Sequence, residues 1–401
     1  MGLFSKRQPR DGGPSAERAS RAPRATRAPR QSSEAYYSMS TRPSFGQWLK
    51  YTWLDIVTMA CMGAIGLGPR DSIGIDIGIG SATDTSQVYE AHPAPTRSFP
   101  VTFSDGEVVY PQFAYPLRKE IIPIWAAALL AALVPIFVIL MMQIRIRSFW
   151  DVNNGVIGLL YALISAAVFQ VFLKWLIGGL RPHFLAVCNP DLSLASNAPG
   201  VVGAGYNAAG FKQIYYTREI CTGDPDTIDD SLESFPSGHT TAAFAGFVFL
   251  YLYLNAKLKV FSNYHPAMWK LIAIYAPILG AVLIGGALTI DEFHNWYDIL
   301  AGAIIGTMMA FSAYRMTYAA IWDWRINHIP LNRGTPFDYG NPELMNATFT
   351  RKVGWGGAAG GYGGNGGNGA YSNGVSGTNG MGTNGVSRKP VAVGHAPENM
   401  V

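Results

Sequence analysis

The sequence predicts an all-α fold, a polytopic membrane bundle of six transmembrane helices flanked by disordered termini. Three observations carry that expectation. Only 14% of the 401 residues are charged, against 49% hydrophobic, where an average soluble domain carries roughly 25% charged residues. The apolar residues fall in six long blocks, each near the roughly 20 residues that cross a bilayer as a helix. The two ends of the chain are polar and compositionally biased, and their composition cannot bury a core. Several soluble domains would fit in this length, but the long apolar blocks exclude that reading.

The blocks run from about Gln47 to Leu67, Ile121 to Met142, Gly155 to Gly178, His239 to Leu254, Trp269 to Ile290 and Trp296 to Ala320. Three regions follow: an Arg-rich cytosolic tail over 1–46, a six-span domain over 47–320, and a cytosolic Gly/Asn-rich tail over 321–401. The first block carries Lys50 and Asp55, and the fourth is short. Cytosolic flanks are enriched in Lys and Arg, so the run Arg21 to Arg30 places the N-terminus in the cytosol. Arg145 and Arg147 after the second block, and Lys257 and Lys259 after the fourth, agree with that orientation. Six spans return the C-terminus to the same side. The loops over 68–120 and 179–238 then face the lumen or the exterior.

The N-terminus has basic residues but no apolar stretch close behind them, so it does not read as a signal peptide. The net charge of +4 is modest, and no nucleic-acid partner is expected. The sequon at Asn346 falls in the expected cytosolic tail and is predicted to stay unglycosylated. The three cysteines show no zinc-ligand spacing. Cys188 and Cys221 share one non-cytosolic loop, where disulfides persist, and are candidates to pair. Cys61 reads as a small apolar residue of the first span.

Ionisable residues at membrane depth or at span ends are costly and mark function. Three clusters stand out. Lys174, Arg181 and Pro182 close the third span in KWLIGGLRP. Pro236, Ser237, Gly238 and His239 open the fourth in FPSGHT. His294 and Asp298 lie between the fifth and sixth in DEFHNWYD. The topology brings all three to one non-cytosolic face. Lys174 and Arg181 supply fixed positive charge, and the Arg fork matches phosphate. Ser237 and the Gly238 amide stand at a helix N-terminus, which suits an anion. His239 is placed to protonate a leaving oxygen. Asp298, four residues from His294 and on one face if helical, can orient that imidazole as an activated nucleophile. Singly, each cluster is weak: a span-end Lys or Arg is ordinarily a snorkelling anchor. Their order and shared face give the set its weight. His183 beside the first cluster reads as a support, and His92, His265, His328 and His395 as incidental.

These residues resemble the type 2 phosphatidic acid phosphatase (PAP2) superfamily, which includes lipid phosphate phosphatases and diacylglycerol pyrophosphate phosphatases. Its pattern is K-x6-R-P, then P-S-G-H, then S-R-x5-H-x3-D, and the resemblance covers roughly residues 47 to 320. It implies a PAP2/acid phosphatase-like core and metal-independent hydrolysis of lipid phosphate monoesters and pyrophosphates without a cofactor. The substrate would be a phospholipid held in the bilayer. His294 would attack phosphorus to give a phosphohistidine, with Asp298 orienting it and His239 as acid. Lys174, Arg181, Ser237 and Gly238 would hold the phosphoryl oxygens. The third motif departs from the pattern, because Ala287 and Leu288 stand where Ser-Arg is expected. Arg70, Arg97 and Arg118, in or beside the 68–120 loop, are candidate replacements. The departure keeps open a catalytically weakened lipid-phosphate binding or scaffolding protein on the same fold, as well as phosphoryl or headgroup transfer between lipids.

Overall fold

The structure is a computed structural model that describes residues 43–67, 98–102, 106–194, 215–263, 265–333, 336–337 and 339. Most of both tails, the sequon, Arg70 and Arg97 lie outside the described residues.

Six long helices account for the apolar blocks: α1 (Phe45–Leu67), α2 (Ile124–Ile146), α3 (Phe149–Leu176), α6 (Gly238–Leu258), α7 (Met268–Ile290) and α8 (Trp296–Thr317). Two short helices, α4 (Phe184–Cys188) and α5 (Pro225–Leu232), lie between α3 and α6. Five of the six long helices are long and apolar enough to cross a membrane by length and composition. The exception is α1, whose Lys50 and Asp55 dilute its hydropathy. It joins the bundle through polar contacts. Trp48 Nε1 donates to Asn153 Oδ1 at 2.7 Å, and Arg333 reaches back to pair with Asp55 and to donate to the Tyr51 carbonyl.

Helix α6 is central. Its apolar window is 83% buried, whereas the other four spans are 22–33% buried. It packs against α2, α3, α7 and α8. The surrounding helices keep large apolar side chains on the outside, among them Phe137, Leu279, Leu283 and Ile304, as a lipid-facing surface requires. Small residues set the close approaches that stand in for a hydrophobic drive between helices in lipid. A Cβ built at Gly302 of α8 would stand 2.7 Å from the Ser237 carbonyl oxygen. One at Gly306 would stand 2.5 Å from that of Thr241, and one at Gly246 would collide with the Ala131 carbonyl of α2.

Helix ends differ from the sequence reading in an informative way. α3 starts at Phe149 rather than Gly155, capped by Ser148 Oγ, which accepts from the Asp151 amide. The extra turn carries Asp151. Asp151 is fully buried, paired with Lys257 and accepting hydrogen bonds from Tyr253 and Gln143. Lys257 and Lys259, read as a charged flank, are themselves buried. Lys257 also donates to the His328 carbonyl, and Lys259 to the Trp324 carbonyl, Asn327 and the His328 ring. The packed body therefore continues past residue 320. Ile326, Asn327, His328 and Ile329 are buried, and Asn154 ties the Thr317 and Leu331 carbonyls together.

At the opposite end, residues between α1 and α2 and between α3 and α6 form a small second core. Phe99, Leu180, Phe184, Ile220 and Leu232 pack together. The strand β1 (Phe99–Pro100) pairs antiparallel with β2 (Tyr215–Tyr216). A disulfide joins Cys188 to Cys221, and the Thr222 and Gly223 amides both donate to the Cys188 carbonyl beside it. Cys61 is an exposed free thiol.

Candidate active site

The second core holds the first cluster against the other two. Lys174 sits in the last turn of α3, and the chain leaves that helix through Gly178 and Gly179, both at positive φ. There glycine is required, because a side chain would strain the left-handed backbone. The Gly179 amide donates to the Leu232 carbonyl at 2.7 Å, and the Arg181 amide to the Ser231 carbonyl at 2.9 Å. The Arg181 side chain is thereby turned inward and is only 5% exposed. Its guanidinium donates to Asp230 Oδ1 at 2.7 Å and lies over the Phe293 ring at 5.6 Å. Lys174 Nζ lies 3.8 Å from Glu233 Oε2. Both cations thus face carboxylates at the C-terminal end of α5, places that an incoming phosphate would contest.

The second cluster starts α6. Ser237 is its N-cap, accepting from the Thr240 amide, a favoured capping arrangement. The Ser237 amide is already used, donating to the Asp298 carbonyl at 3.1 Å. That leaves the Gly238 amide as the first orphan donor of the helix. A Cβ on Gly238 would meet only Gln170, at 3.5 Å, so the backbone there is open to approach.

The third cluster is built differently from the helical pair that its spacing suggests. α7 ends at Ile290 with Asp291 as its C-cap, and Glu292 takes a left-handed φ of 59°. The Phe293 and His294 amides both return to the Leu288 carbonyl, at 3.1 and 3.2 Å. His294 stands before α8, outside the helix, whereas Asp298 is in its first turn. Asp298 Oδ2 accepts from the Asn295 amide at 3.0 Å in a reciprocal capping box. The same oxygen accepts from Asn295 Nδ2 and from the Ser234 hydroxyl. His294 Nδ1 lies 3.6 Å from Asp298 Oδ2 and 3.5 Å from Ser234 Oγ. With the proton on Nδ1, facing the carboxylate, Nε2 keeps its lone pair.

All seven sequence-derived residues therefore lie in one neighbourhood. The His239 and His294 rings are 6.4 Å apart, and Arg181 and Lys174 both act electrostatically on His294. Burial pushes the His294 imidazole down to about 4, with Arg181 and Lys174 adding to the effect and Asp298 opposing it. That depression favours the neutral ring. Of the buried side-chain atoms without a hydrogen-bond partner among the described residues, three belong to these seven residues: Arg181 Nε, His239 Nε2 and Asp298 Oδ1. Buried polar groups are almost always satisfied, so three orphans around one space mark a site shaped for something polar. Among the described residues no group of His, Cys, Asp and Glu is arranged to hold a metal ion.

Sequence reasoning missed several members. Ser234 and Asn295 fix Asp298, and Asn295 Nδ2 also donates to the Leu180 carbonyl at 3.0 Å, tying the first cluster to the third. Ser234 lies three residues before Ser237 but belongs to no motif noted above. His183 is a tie as well. It is 1% exposed, its Nδ1 donates to the Glu292 carbonyl at 3.0 Å, and its ring meets Phe293 edge-on. Glu120, on the strap before α2, places Oε1 4.0 Å from His239 Nε2. Leu288 is buried. Arg118 reaches this corner but donates to the Ile290 carbonyl at 3.0 Å.

Apolar helices around a buried, cation-lined site with two histidines define a multi-pass membrane protein. A family model described as the PAP2 superfamily matches residues 155–322. A PA-phosphatase related-family protein of Dictyostelium discoideum is 33% identical over 221 residues, 55% of this chain and 63% of that relative. Lipid phosphate phosphatase 1 of Arabidopsis thaliana is 34% identical, over 53% of this chain and 60% of its own length. Lipid phosphate phosphatase 2 of the same plant is 33% identical, over 54% of this chain and 69% of its own length. The chain belongs to the PAP2 superfamily. It spans about three fifths of the length of the first two of these relatives. No solved structure matches it.

Proposed function

We propose that this protein hydrolyses lipid phosphates, phosphatidic acid, lysophosphatidic acid and diacylglycerol pyrophosphate among them, on the non-cytosolic side of its membrane. The observation that carries the reading is the buried His294, with Nδ1 on the Asp298 side, beside the buried Arg181, the half-buried Lys174 and a second histidine. In the first step His294 Nε2 attacks phosphorus, and the bond to the leaving oxygen breaks as His239 supplies its proton. Arg181, Lys174 and the Gly238 amide hold the non-bridging oxygens. Such preorganised donors supply the largest share of catalysis in sites of this kind. In the second step water attacks the phosphohistidine and the N–P bond breaks. The water proton passes to His239, which restores the acid. Asp298 stabilises the imidazolium form of His294 throughout. The acyl chains stay in lipid, because the reacting groups sit at helix ends.

The Arg-rich N-terminal flank supports a cytosolic N-terminus. With α1 counted as a span, the site then falls on the far face, where the Cys188–Cys221 disulfide is at home.

The test is phosphate release from phosphatidic acid in detergent micelles with EDTA present. Release by wild type that is absent in His294→Ala is the expected result. No release from folded wild-type protein would sink the reading. Leu288 favours one alternative, a lipid-phosphate binding protein without turnover, since a buried leucine brings no charge to the phosphate. That alternative expects phosphate release to appear only in Leu288→Arg.

A further inference from the structure

His294 has a carboxylate partner in its own cluster, and His239 has none in either motif. The structure brings it one from elsewhere. Glu120 belongs to the strap that precedes α2, and three contacts fix that strap to the site. The Tyr115 amide donates to the Pro182 carbonyl at 3.0 Å. Arg118 donates to the Ile290 carbonyl at 3.0 Å. The Ile121 amide donates to Asp291 Oδ2 at 3.1 Å. The strap is thus tied to the first cluster and to the loop that carries the third. Between those ties, Glu120 Oε1 stands 4.0 Å from His239 Nε2, a buried nitrogen without a hydrogen-bond partner. The Glu120 side chain is 27% exposed and that of His239 only 6%. Glu120 is therefore a partly exposed carboxylate standing beside a buried ring.

We propose that Glu120 is the positioning carboxylate of His239, holding its imidazolium ready as the acid. The proposal rests on the phosphatase reading for its kinetic consequence, though not for its electrostatic one. Each turnover returns one proton to His239 Nε2 from the attacking water, so no net proton has to be stored on Glu120. Its charge favours the protonated ring while the P–O bond breaks. Other charges face the pair. His294, Arg181 and Lys174 act on His239, and Arg181, Lys174, Asp230 and Asp291 act on Glu120. Burial, Asp230 and Asp291 push the Glu120 carboxyl up, while Arg181 and Lys174 pull it down. Arg181 and Lys174 thus bear on both members of the pair, and Glu120 is the carboxylate that stands against the His239 ring.

The experiment uses the full chain in micelles with histidine ring labels, His239 being assigned from His239→Asn. In Glu120→Gln the titration midpoint of the His239 ring signal moves to lower pH than in wild type, and in Glu120→Asp it returns part of the way. An unchanged midpoint in Glu120→Gln overturns the proposal whether or not the protein turns over lipid. Kinetics supply the second readout. An alkyl phosphate needs its leaving oxygen protonated, and a nitrophenyl phosphate hardly does. General acid catalysis contributes about 10²–10⁴-fold, so Glu120→Gln lowers the alkyl-to-aryl rate ratio about tenfold, and the alkaline limb of kcat on the alkyl substrate moves to lower pH. An equal loss on both substrates would show Glu120 to be merely structural and overturn the proposal. Wild type with no activity on either substrate would sink the phosphatase reading alone, and the ring titration would still decide Glu120.

Discussion

Among the described residues two carboxylates are fully buried, Asp151 and Asp298, and they are served in opposite ways. Asp151, near the start of α3, has both oxygens occupied: one pairs with Lys257 and the other accepts from Tyr253 and Gln143. Asp298, at the start of α8, gathers three donors on Oδ2 and none on Oδ1. The neighbours of Asp298 repeat the pattern, with unpartnered nitrogens on Arg181 and His239. A satisfied buried charge stabilises a single arrangement of helices, whereas an unsatisfied one is held in wait for another molecule. On the proposed function, the difference separates a structural end of the bundle from a reactive one.

The sharpest way to break that comparison is to neutralise each carboxylate in turn. Asp298→Asn should reduce phosphate release by about 10³–10⁴-fold, the loss expected when a histidine loses the carboxylate that sets its tautomer. Its thermal midpoint should change little. Asp151→Asn should do the reverse. Breaking a buried pair from one side costs about 3–5 kcal/mol, read as a fall in thermal stability in micelles, while activity per folded molecule is kept. Equal stability losses in the two variants would erase the distinction.

A smaller effect is expected in the second core. Replacing both Cys188 and Cys221 by serine frees a loop closed across a sequence separation of 33. The chain-entropy argument puts the cost at about 4 kcal/mol as an upper figure, with strain and residual structure reducing it. Denaturation with and without reductant measures it. Because this core holds Arg181 and the strap, KM should rise before the bundle melts.

The smallest effect is on pH dependence. Burial holds His294 at about 4, below its usual 6.5, so the acid limb of kcat/KM that belongs to it should appear only as pH falls through about 4. The same depression makes the unfolded chain bind a proton that the folded chain refuses. The stability from His294 is full above 6.5 and is lost as pH falls from 6.5 towards 4. A His294 limb near 6.5 would show a wetter site than the structure has.

The helices were legible because an apolar run near span length has few alternatives, and five of the six long helices are apolar enough to bear this out. The three clusters were legible because Lys174, Arg181, His239 and His294 are expensive where they stand. What escaped was tertiary. Asp151 fell outside the third block, and its partner Lys257 is 106 residues away. His328 read as incidental for the same reason. Ser234 and Glu120 lie in connecting segments, where no periodicity says which way a side chain turns. The His294–Asp298 spacing also misled in one respect: it suggested a helical face, and the structure uses a capping box instead.

The close seam between α6 and α8 bears on how this protein can vary. Gly302 and Gly306 leave no room for a side chain against the backbone of α6, directly beneath Ser237 and Asp298. In a saturation mutagenesis library scored for activity, those two positions should stay blank for every residue, alanine included. The strap carrying Glu120 crosses the site without such a seam and should accept many substitutions. New substrate preferences would therefore be gained by rewriting the strap, and the paired helices would pass unaltered from one specificity to the next.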